Sequence, residues 1–304
     1  MATSGALVRA LEYNTVQNTI ANILGTGSGQ SGYGQAVNTS PVTANSSTIT
    51  VAQWANMKAD MLTIAAHAGL SGAPQITALP TVTTSTIVSA TDVTFFETAA
   101  TYLDANKYAI ALYSDEGFTP NINQSRTTSW GAPVKPTIRH SFTVDFTNAS
   151  NARYFFNAGS DIRFSSARTG GTGTPQDLNW TNMLSAMGTV IFNYNSTSAA
   201  SGSGSSIGFY QLTNVSTQIF TKTGSGNYSA NDYTILASCD VANNINGGAR
   251  YIYFDIYWND DHTNPFADSV TGTITSVISM RRANAIGGVT VLAPTATNTV
   301  LLTA

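Results

Sequence analysis

Hydrophobic side chains recur with helical spacing in roughly the first third of this chain and alternate with polar side chains from about residue 127 onward. An apolar residue at every third or fourth position predicts a helix with one buried face, whereas alternation predicts strands buried on one side. This change of period predicts an α+β fold. A short helical N-terminal region over residues 1–120 should precede a mainly antiparallel, jelly-roll-like β-sandwich over residues 121–304.

The first two predicted helices carry start and stop signals. Asn14–Gln17 and Thr50–Gln53 each match a capping box, in which two side chains satisfy backbone N–H groups at the start of a helix. Gly25 and Gly69 follow as helix stops, and His67 would place a partial positive charge in the last turn of the second helix. One apolar stripe on each helix is predicted to pack against another N-terminal helix or a neighbouring subunit. The predicted assembly interface consists of Val16, Ile20, Ile23, Trp54, Met57 and Met61.

A third helix is predicted from Asp92 to Ala105, again with one apolar side. The residues of that side are Phe95, Phe96, Ala99, Tyr102 and Leu103. The segments that separate the three helices lack such periodicity. Residues 25–34 are glycine-rich and predict a flexible loop, and residues 71–89 are rich in Thr, Ser and Pro and predict an extended connector.

The second part of the chain reads as a series of short strands. Arg139–Phe146 alternates most regularly, and turn-prone runs of Gly, Asn and Ser separate the remaining segments. Those further predicted strands cover residues 152–164, 207–212, 233–239, 249–258 and 270–280. One helix, with Leu178, Met183, Leu184 and Met187 on one side and Gly188 as its stop, interrupts them. Such a pattern is typical of a sandwich or a jelly roll.

The composition favours lasting protein contacts. Only 10% of the residues are charged, against about 25% in ordinary soluble domains. With 13 Tyr, 13 Phe, 4 Trp and a net charge of -3, the chain lacks the signature of a disordered protein. Little charge has to be desolvated when such surfaces meet. A lone extracellular β-protein fits the composition equally well, whereas 13 scattered Lys and Arg residues argue against nucleic acid.

Two motifs resemble ligand-binding sites but have simpler interpretations. Gly27–Gly32 matches the spacing of a dinucleotide-binding loop, yet a helix precedes it, so an ordinary loop is favoured. Asp260, Asp261 and Asp268, with His262 between them, form the densest set of oxygen ligands, which makes a calcium site conceivable. Their spacing fits no EF-hand, and a solvated loop at the end of a strand is the favoured interpretation. We therefore expect no metal and no cofactor.

No pattern marks a catalytic centre. The three histidines, His67, His140 and His262, lack zinc-ligand spacing to one another and to Cys239. No Cys/His arrangement occurs, and no pair of carboxylates stands out. The lone Cys239 is expected to be a buried, inert thiol. The sequence thus predicts no catalytic residue and a protein that is not an enzyme.

Two aromatic segments, Tyr154–Phe156 and Tyr251–Trp258, could offer rings for stacking on sugars. Aromatic strands of this kind belong more often to a core or to a contact with a neighbouring subunit, which is the interpretation that we favour. The first residues lack the basic-then-apolar layout of a signal peptide, and no apolar run approaches the length of a membrane span.

Several stretches together carry a resemblance to a known group of proteins. They are Glu12–Asn18, Ile23–Gly29, Gly32–Gln35, Val51–Trp54, Asp145–Ala149, Ala152–Gly159, Ile162–Phe164, Asn179–Leu184 and Met187–Thr189. In these stretches the chain resembles virion structural proteins of tailed phages, especially marine and cyanobacterial ones. Ala152–Phe164 is the most specific of them.

The resemblance implies a non-enzymatic component of the tail, neck, baseplate or fibre of a virion, made in the host cytoplasm. It brings no catalytic residues. The implied partners are further copies of the chain, in a trimer by analogy with fibre-like phage parts, and other virion proteins, but neither nucleic acid nor a membrane. Two alternatives stay open: a carbohydrate-binding or adhesion module that contacts a host glycan, and a glycan depolymerase.

Overall fold

The computed structural model describes residues 8–43, 49–84, 88–110, 122–131, 137–262 and 269–301. The chain forms two compact units. Unit 1 comprises Met1–Glu116, Arg153–Gly159 and Ala283–Val291, and unit 2 comprises Gly117–Ala152, Ser160–Arg282 and Leu292–Ala304. The two later segments of unit 1 were not anticipated from the sequence, which suggested a single boundary at residue 120.

Helices build most of unit 1. They are α1 (Ala10–Leu24), α2 (Val51–His67), α3 (Pro74–Thr77), α4 (Ala90–Asn106) and the C-terminal part of α5 (Ala149–Asn157). The short helix α3 lies inside the segment predicted as an extended connector. Contacts among α1, α2 and α4 close a core around Trp54, whose ring centroid lies 5.2 Å from that of Tyr13 and 4.8 Å from that of Phe96. The predicted apolar stripes therefore find partners within the chain.

Helix capping explains where most of these helices begin. Thr50 caps α2, and Gln53 reaches back to the Thr50 backbone N–H, as predicted. For α1 the prediction was wrong, because the residue before the helix is Arg9 and not Asn14. The Asn14 amide instead bonds both the backbone N–H and the carbonyl of Val42, each at 2.8 Å. An Asn side chain can form hydrogen bonds with the backbone of a distant loop as readily as with the start of a helix.

The third predicted helix is α4, which Ser89 caps through the backbone N–H of Asp92. Its inward side is narrower than the sequence suggested. Phe96, Ala99 and Leu103 are buried, whereas Phe95 is 40% exposed.

The glycine-rich loop after α1 is pinned rather than flexible. Backbone bonds of 2.8–2.9 Å run from Tyr33, Gly34 and Gln35 back to the carbonyls of residues 23–25. Gly27 has a φ of 50°, and a Cβ there would meet the carbonyl of Asn22 at 2.6 Å. The glycines thus allow the tight turns by which the chain folds back onto the end of α1.

Unit 2 is a sandwich of two antiparallel five-stranded sheets. The first sheet has the order β1-β9-β3-β4-β5, and the second β10-β2-β8-β7-β6. The strands are β1 (Ile122–Arg126), β2 (Thr137–Asp145), β3 (Asp161–Thr169), β4 (Val190–Phe192), β5 (Thr197–Ser198), β6 (Thr217–Thr223), β7 (Asp232–Cys239), β8 (Tyr251–Asn259), β9 (Thr273–Arg281) and β10 (Thr295–Leu301). The inner faces meet at Phe164 and Phe254, whose ring centroids are 4.8 Å apart. The predicted fold class is confirmed.

The predicted strand over residues 152–164 is only partly a strand, since β3 begins at Asp161, and the predicted strand over residues 207–212 is wrong. Residues 152–157 belong to α5, because Ala152, Phe155 and Phe156 recur with helical spacing and are all buried. Asn148 accepts the backbone N–H of Asn151 at 2.9 Å, which starts this helix. Residues 207–212 form no strand either, since Phe209–Gln211 is a 3₁₀ turn.

Helix α6 (Pro175–Met187) interrupts the strands of unit 2 as predicted, with Gly188 as its stop. Thr174 caps it, and the Asp177 carboxylate lies wholly buried in its first turn. That carboxylate pairs with Arg168 at 2.6 Å and accepts from the Thr271 backbone N–H at 2.7 Å. Burial raises the pKa of Asp177, but the hydrogen bonds from Thr271 and the charge of Arg168 outweigh it, so the pKa lies below its ordinary value.

Candidate functional site

The outer surface of the second sheet carries an exposed group of tyrosines. Side chains alternate along β8, so that residues 252, 254, 256 and 258 are buried while Tyr251, Tyr253 and Tyr257 face outward. We call this surface the tyrosine face. It consists of Tyr251, Tyr253 and Tyr257 together with Arg139, Asp145, Arg250 and Asp255.

Tyr253 lies in the middle of the tyrosine face and is its most open aromatic ring, with 39% of the residue exposed. The rings of Tyr251 and Tyr253 are almost parallel, at 13°, and their centroids are 6.4 Å apart. Thr143 of β2 and Ser238 of β7 are the residues opposite Tyr253 in the two neighbouring strands. Because both are small, they leave the tyrosine ring standing above the sheet.

Two ion pairs flank the tyrosines. Arg139 holds Asp255 with two bonds of 2.9 and 2.7 Å, and Ser141 donates to the same carboxylate at 2.5 Å. Arg250 holds Asp145 with two bonds of 2.7 and 2.8 Å. Such two-pronged pairs fix the orientation of both side chains. The Arg250 hydrogen bond is the main reason that the pKa of Asp145 lies below its ordinary value.

Each guanidinium also lies over a tyrosine ring. The Arg250 Cζ atom is 4.6 Å from the ring centroid of Tyr251, and the Arg139 Cζ atom is 5.7 Å from that of Tyr257. These cation–π contacts add to the rigidity of the surface. The two arginines and two aspartates of the tyrosine face cancel in charge, and the Asp240 carboxylate, which accepts the backbone N–H groups of Arg250 and Tyr251, lies beside them.

This chemistry suits a flat protein contact. Tyr and Arg are enriched where binding energy concentrates, because they bury much surface at a small entropic cost. The four charged side chains of the face are already paired within the chain, so a partner need not supply a counter-charge for any of them. The sequence had indicated the strand Tyr251–Trp258 but not which of its aromatic residues faces outward. The burial of Trp258 at 0% exposed settles that register.

The predicted assembly residues lie elsewhere. Val16, Ile20, Ile23, Trp54, Met57 and Met61 are all at most 2% exposed, and all belong to the core of unit 1. Their burial is supplied by the chain itself, so they present no surface to a second subunit. Any assembly surface must therefore be sought among exposed residues.

The acidic segment at the end of β8 gathers fewer ligands than its sequence suggests. Asp260 is buried with its carboxylate against Gly131, and Asp261 is exposed. The backbone N–H of His262 donates to the Asn231 side chain at 3.0 Å. Asp268 lies outside the described residues. Across the part of the chain that the structure describes, no three His, Cys, Asp or Glu side chains are grouped to hold a metal ion.

The remaining predicted residues are buried. Burial raises the pKa of the Cys239 thiol, which fits an inert side chain. Burial also lowers the pKa of His67, whose Nε2 lies 3.0 Å from the carbonyl oxygen of Ala158. The ring is therefore neutral near pH 7, and the expected positive charge at the end of α2 was wrong.

No helix among the described residues has the length and apolar character needed to cross a lipid bilayer. No protein-family profile matches the chain, and neither a curated protein nor a solved structure matches it significantly.

Proposed function

We propose that this chain is a non-enzymatic structural component of a tailed-phage particle, in its tail, neck, baseplate or fibre. It assembles with copies of itself and with other virion proteins. The tyrosine face is the observation that carries this proposal. A preorganised aromatic surface whose ion pairs are formed within the chain is what a permanent protein contact needs.

The composition supports the same function. The chain is only 10% charged, so the surfaces around the tyrosine face add little to the cost of desolvation when subunits meet. The sequence resemblance to virion structural proteins gives the setting in which such a surface would be used. A particle component is made in the host cytoplasm and meets its partners there during assembly.

A second function deserves a test because Tyr253 is exposed. An open tyrosine ring beside hydrogen-bonding side chains could stack on a sugar of the host surface. However, guanidinium groups lie over the rings of Tyr251 and Tyr257, which leaves less aromatic surface free for a sugar. The geometry thus favours a protein partner, and glycan binding is the alternative.

Two experiments separate these functions. Antibodies against the purified chain should label phage particles at one fixed position, and purified particles should contain the chain at a constant copy number. A chain found in lysates of infected cells but never in purified particles would contradict the proposal. On a glycan array, saturable sugar binding that a Tyr253→Ser variant loses would instead favour the adhesion module. Sugar release from a host polysaccharide would point to the depolymerase.

A further inference from the structure

A small pocket of about 220 Å³ lies within unit 2, and one of its lining residues, Arg139, also belongs to the tyrosine face. Strand β1, the residues that follow it and strand β2 line the pocket, with Gln124, Arg126, Thr128 and His140 among its walls. Gln124 and His140 are 3% and 4% exposed, so two polar side chains lie almost entirely buried beside it. Neither the resemblance nor the proposed assembly accounts for this pocket.

A chain of hydrogen bonds through the sandwich fixes the state of the His140 ring. Ser276 Oγ accepts from the Trp258 indole at 3.3 Å and from Ser166 Oγ at 3.2 Å, and it lies 2.9 Å from His140 Nδ1. Ser166 in turn lies 2.8 Å from the Tyr233 hydroxyl. Because an indole only donates, the one proton of Ser276 is left for His140 Nδ1. The ring proton of a neutral His140 must then sit on Nε2.

That Nε2–H group is available to a ligand. Its ring is held from the interior through Nδ1, and Nε2 has no hydrogen-bond partner among the residues that the structure describes. Burial, and then the nearby charge of Arg126, lower the pKa of His140 to about 4. The ring therefore stays neutral, and Nε2 stays a donor, at physiological pH.

Arg126 brings positive charge to the same pocket. Its Nε donates to the Thr128 carbonyl at 3.1 Å, which orients the guanidinium. Among the described residues no carboxylate lies within ion-pair distance of it. The groups that line the pocket thus include an oriented cation, a fixed N–H donor and the hydroxyls of Thr127 and Thr128.

We propose that this pocket binds a small oxyanion, a carboxylate or phosphate group, held between the Arg126 guanidinium and His140 Nε2–H. The Arg126 guanidinium and the ring N–H of His140 can only donate, so they favour a ligand that accepts, and a planar guanidinium matches the paired oxygens of both groups. The volume is below the usual range for drug-sized ligands, so a single small group fits. This site does not depend on the assembly proposed above.

The site can be tested by NMR on the whole chain, with its histidines selectively labelled with ¹⁵N and with anions as the titrants. At constant ionic strength, acetate or inorganic phosphate should shift the His140 Nε2 resonance saturably, and the stronger of the two identifies the source of the oxyanion. Acetamide, which matches acetate in shape but lacks the charge, should leave that resonance unchanged. No saturable shift with either anion would overturn the proposal.

Variants at Arg126 sharpen the test. Arg126→Gln should weaken anion binding at least tenfold. The affinity of Arg126→Lys should lie between those of Arg126→Gln and the parent chain, because lysine keeps the charge but lacks the paired donors of the guanidinium. Arg153→Gln removes an arginine in unit 1 that bonds the Thr26 carbonyl, and it should bind like the parent chain. Equal affinity in all four proteins would also overturn the site. Because Arg126→Lys keeps the charge, its titration stays decisive if the glutamine variant does not fold.

Discussion

The indole ring of Trp54 meets the ring of Tyr13 edge-on, with centroids 5.2 Å apart and planes at 89°. This contact joins α2 to α1, and both residues are at most 1% exposed. Trp54 is thus a core residue of unit 1, where the sequence left open a place against a neighbouring subunit.

Replacement of Trp54 by alanine should therefore destabilise unit 1. The loss of a buried tryptophan leaves a cavity and typically lowers the free energy of unfolding by about 3–5 kcal/mol. Urea denaturation followed by circular dichroism measures the change. Leu62→Ala on the same helix is the control, because Leu62 is 41% exposed and should cost far less. Equal stability of the two variants would show that Trp54 does not hold the helices together.

Much of the helical region was predictable because its determinants are local. Thr50 and Gln53 lie within one turn of each other, so the capping box can be read from the chain. The same rule wrongly predicted a helix start at Asn14, since the partner of this side chain, Val42, is 28 residues away. A local motif cannot reveal that a distant backbone competes for the side chain.

Sequence patterns also had limits for the strands of unit 2. The alternation in β2 and β8 identified both strands, and it predicted one buried face for each. In Tyr251–Trp258 both faces are rich in aromatic residues, so hydrophobicity alone could not say which one is open. The oxyanion pocket could not be predicted from the sequence either, because His140 and its hydrogen-bond partner Ser276 are 136 residues apart in the chain.

Acid should destabilise unit 2 through His140. Its pKa in the folded chain is about 4, below the ordinary value of 6.5, so the unfolded state takes up the proton first as the pH falls. The contribution to stability is complete above pH 6.5 and is lost between there and about pH 4. It amounts to about 3 kcal/mol for a shift of this size.

Urea denaturation at a series of pH values checks this dependence. The stability of the parent chain should fall more steeply than that of His140→Gln between neutral pH and about pH 4. Glutamine can still accept from Ser276 but does not titrate, so the other acidic groups contribute equally in both proteins. Parallel curves for the two proteins would show that His140 does not carry the effect.

Asp177→Asn should be strongly destabilising. The substitution keeps the shape of the side chain but leaves Arg168, which is 6% exposed, without its counter-charge. Removal of one partner from a buried ion pair costs about 3–5 kcal/mol. Thermal unfolding monitored by calorimetry should show a much lower midpoint. A loss no larger than that of Asp255→Asn, whose ion pair is partly exposed, would contradict this account of the buried pair.

Gln176→Met should have the opposite effect. Both polar atoms of the Gln176 side chain are buried, and neither has a hydrogen-bond partner among the described residues. Replacement of an unpartnered buried amide by an apolar side chain of similar size should gain about 1–3 kcal/mol. The midpoint of thermal unfolding should therefore rise. A fall would show that the amide is hydrogen-bonded in solution.

We propose that the tyrosine face holds the chain in its assembly. Sedimentation velocity across a concentration series tests it most directly, on the parent chain, Tyr253→Ser and Phe95→Ser. The two replaced residues are similarly exposed, at 39% and 40%, but Phe95 lies on α4 of unit 1. The parent chain and Phe95→Ser should form the same oligomer. Tyr253→Ser should dissociate at concentrations about 30-fold higher, as for the loss of about 2 kcal/mol at a central contact. A monomeric parent chain, or an oligomer that Tyr253→Ser leaves unchanged, would contradict the claim.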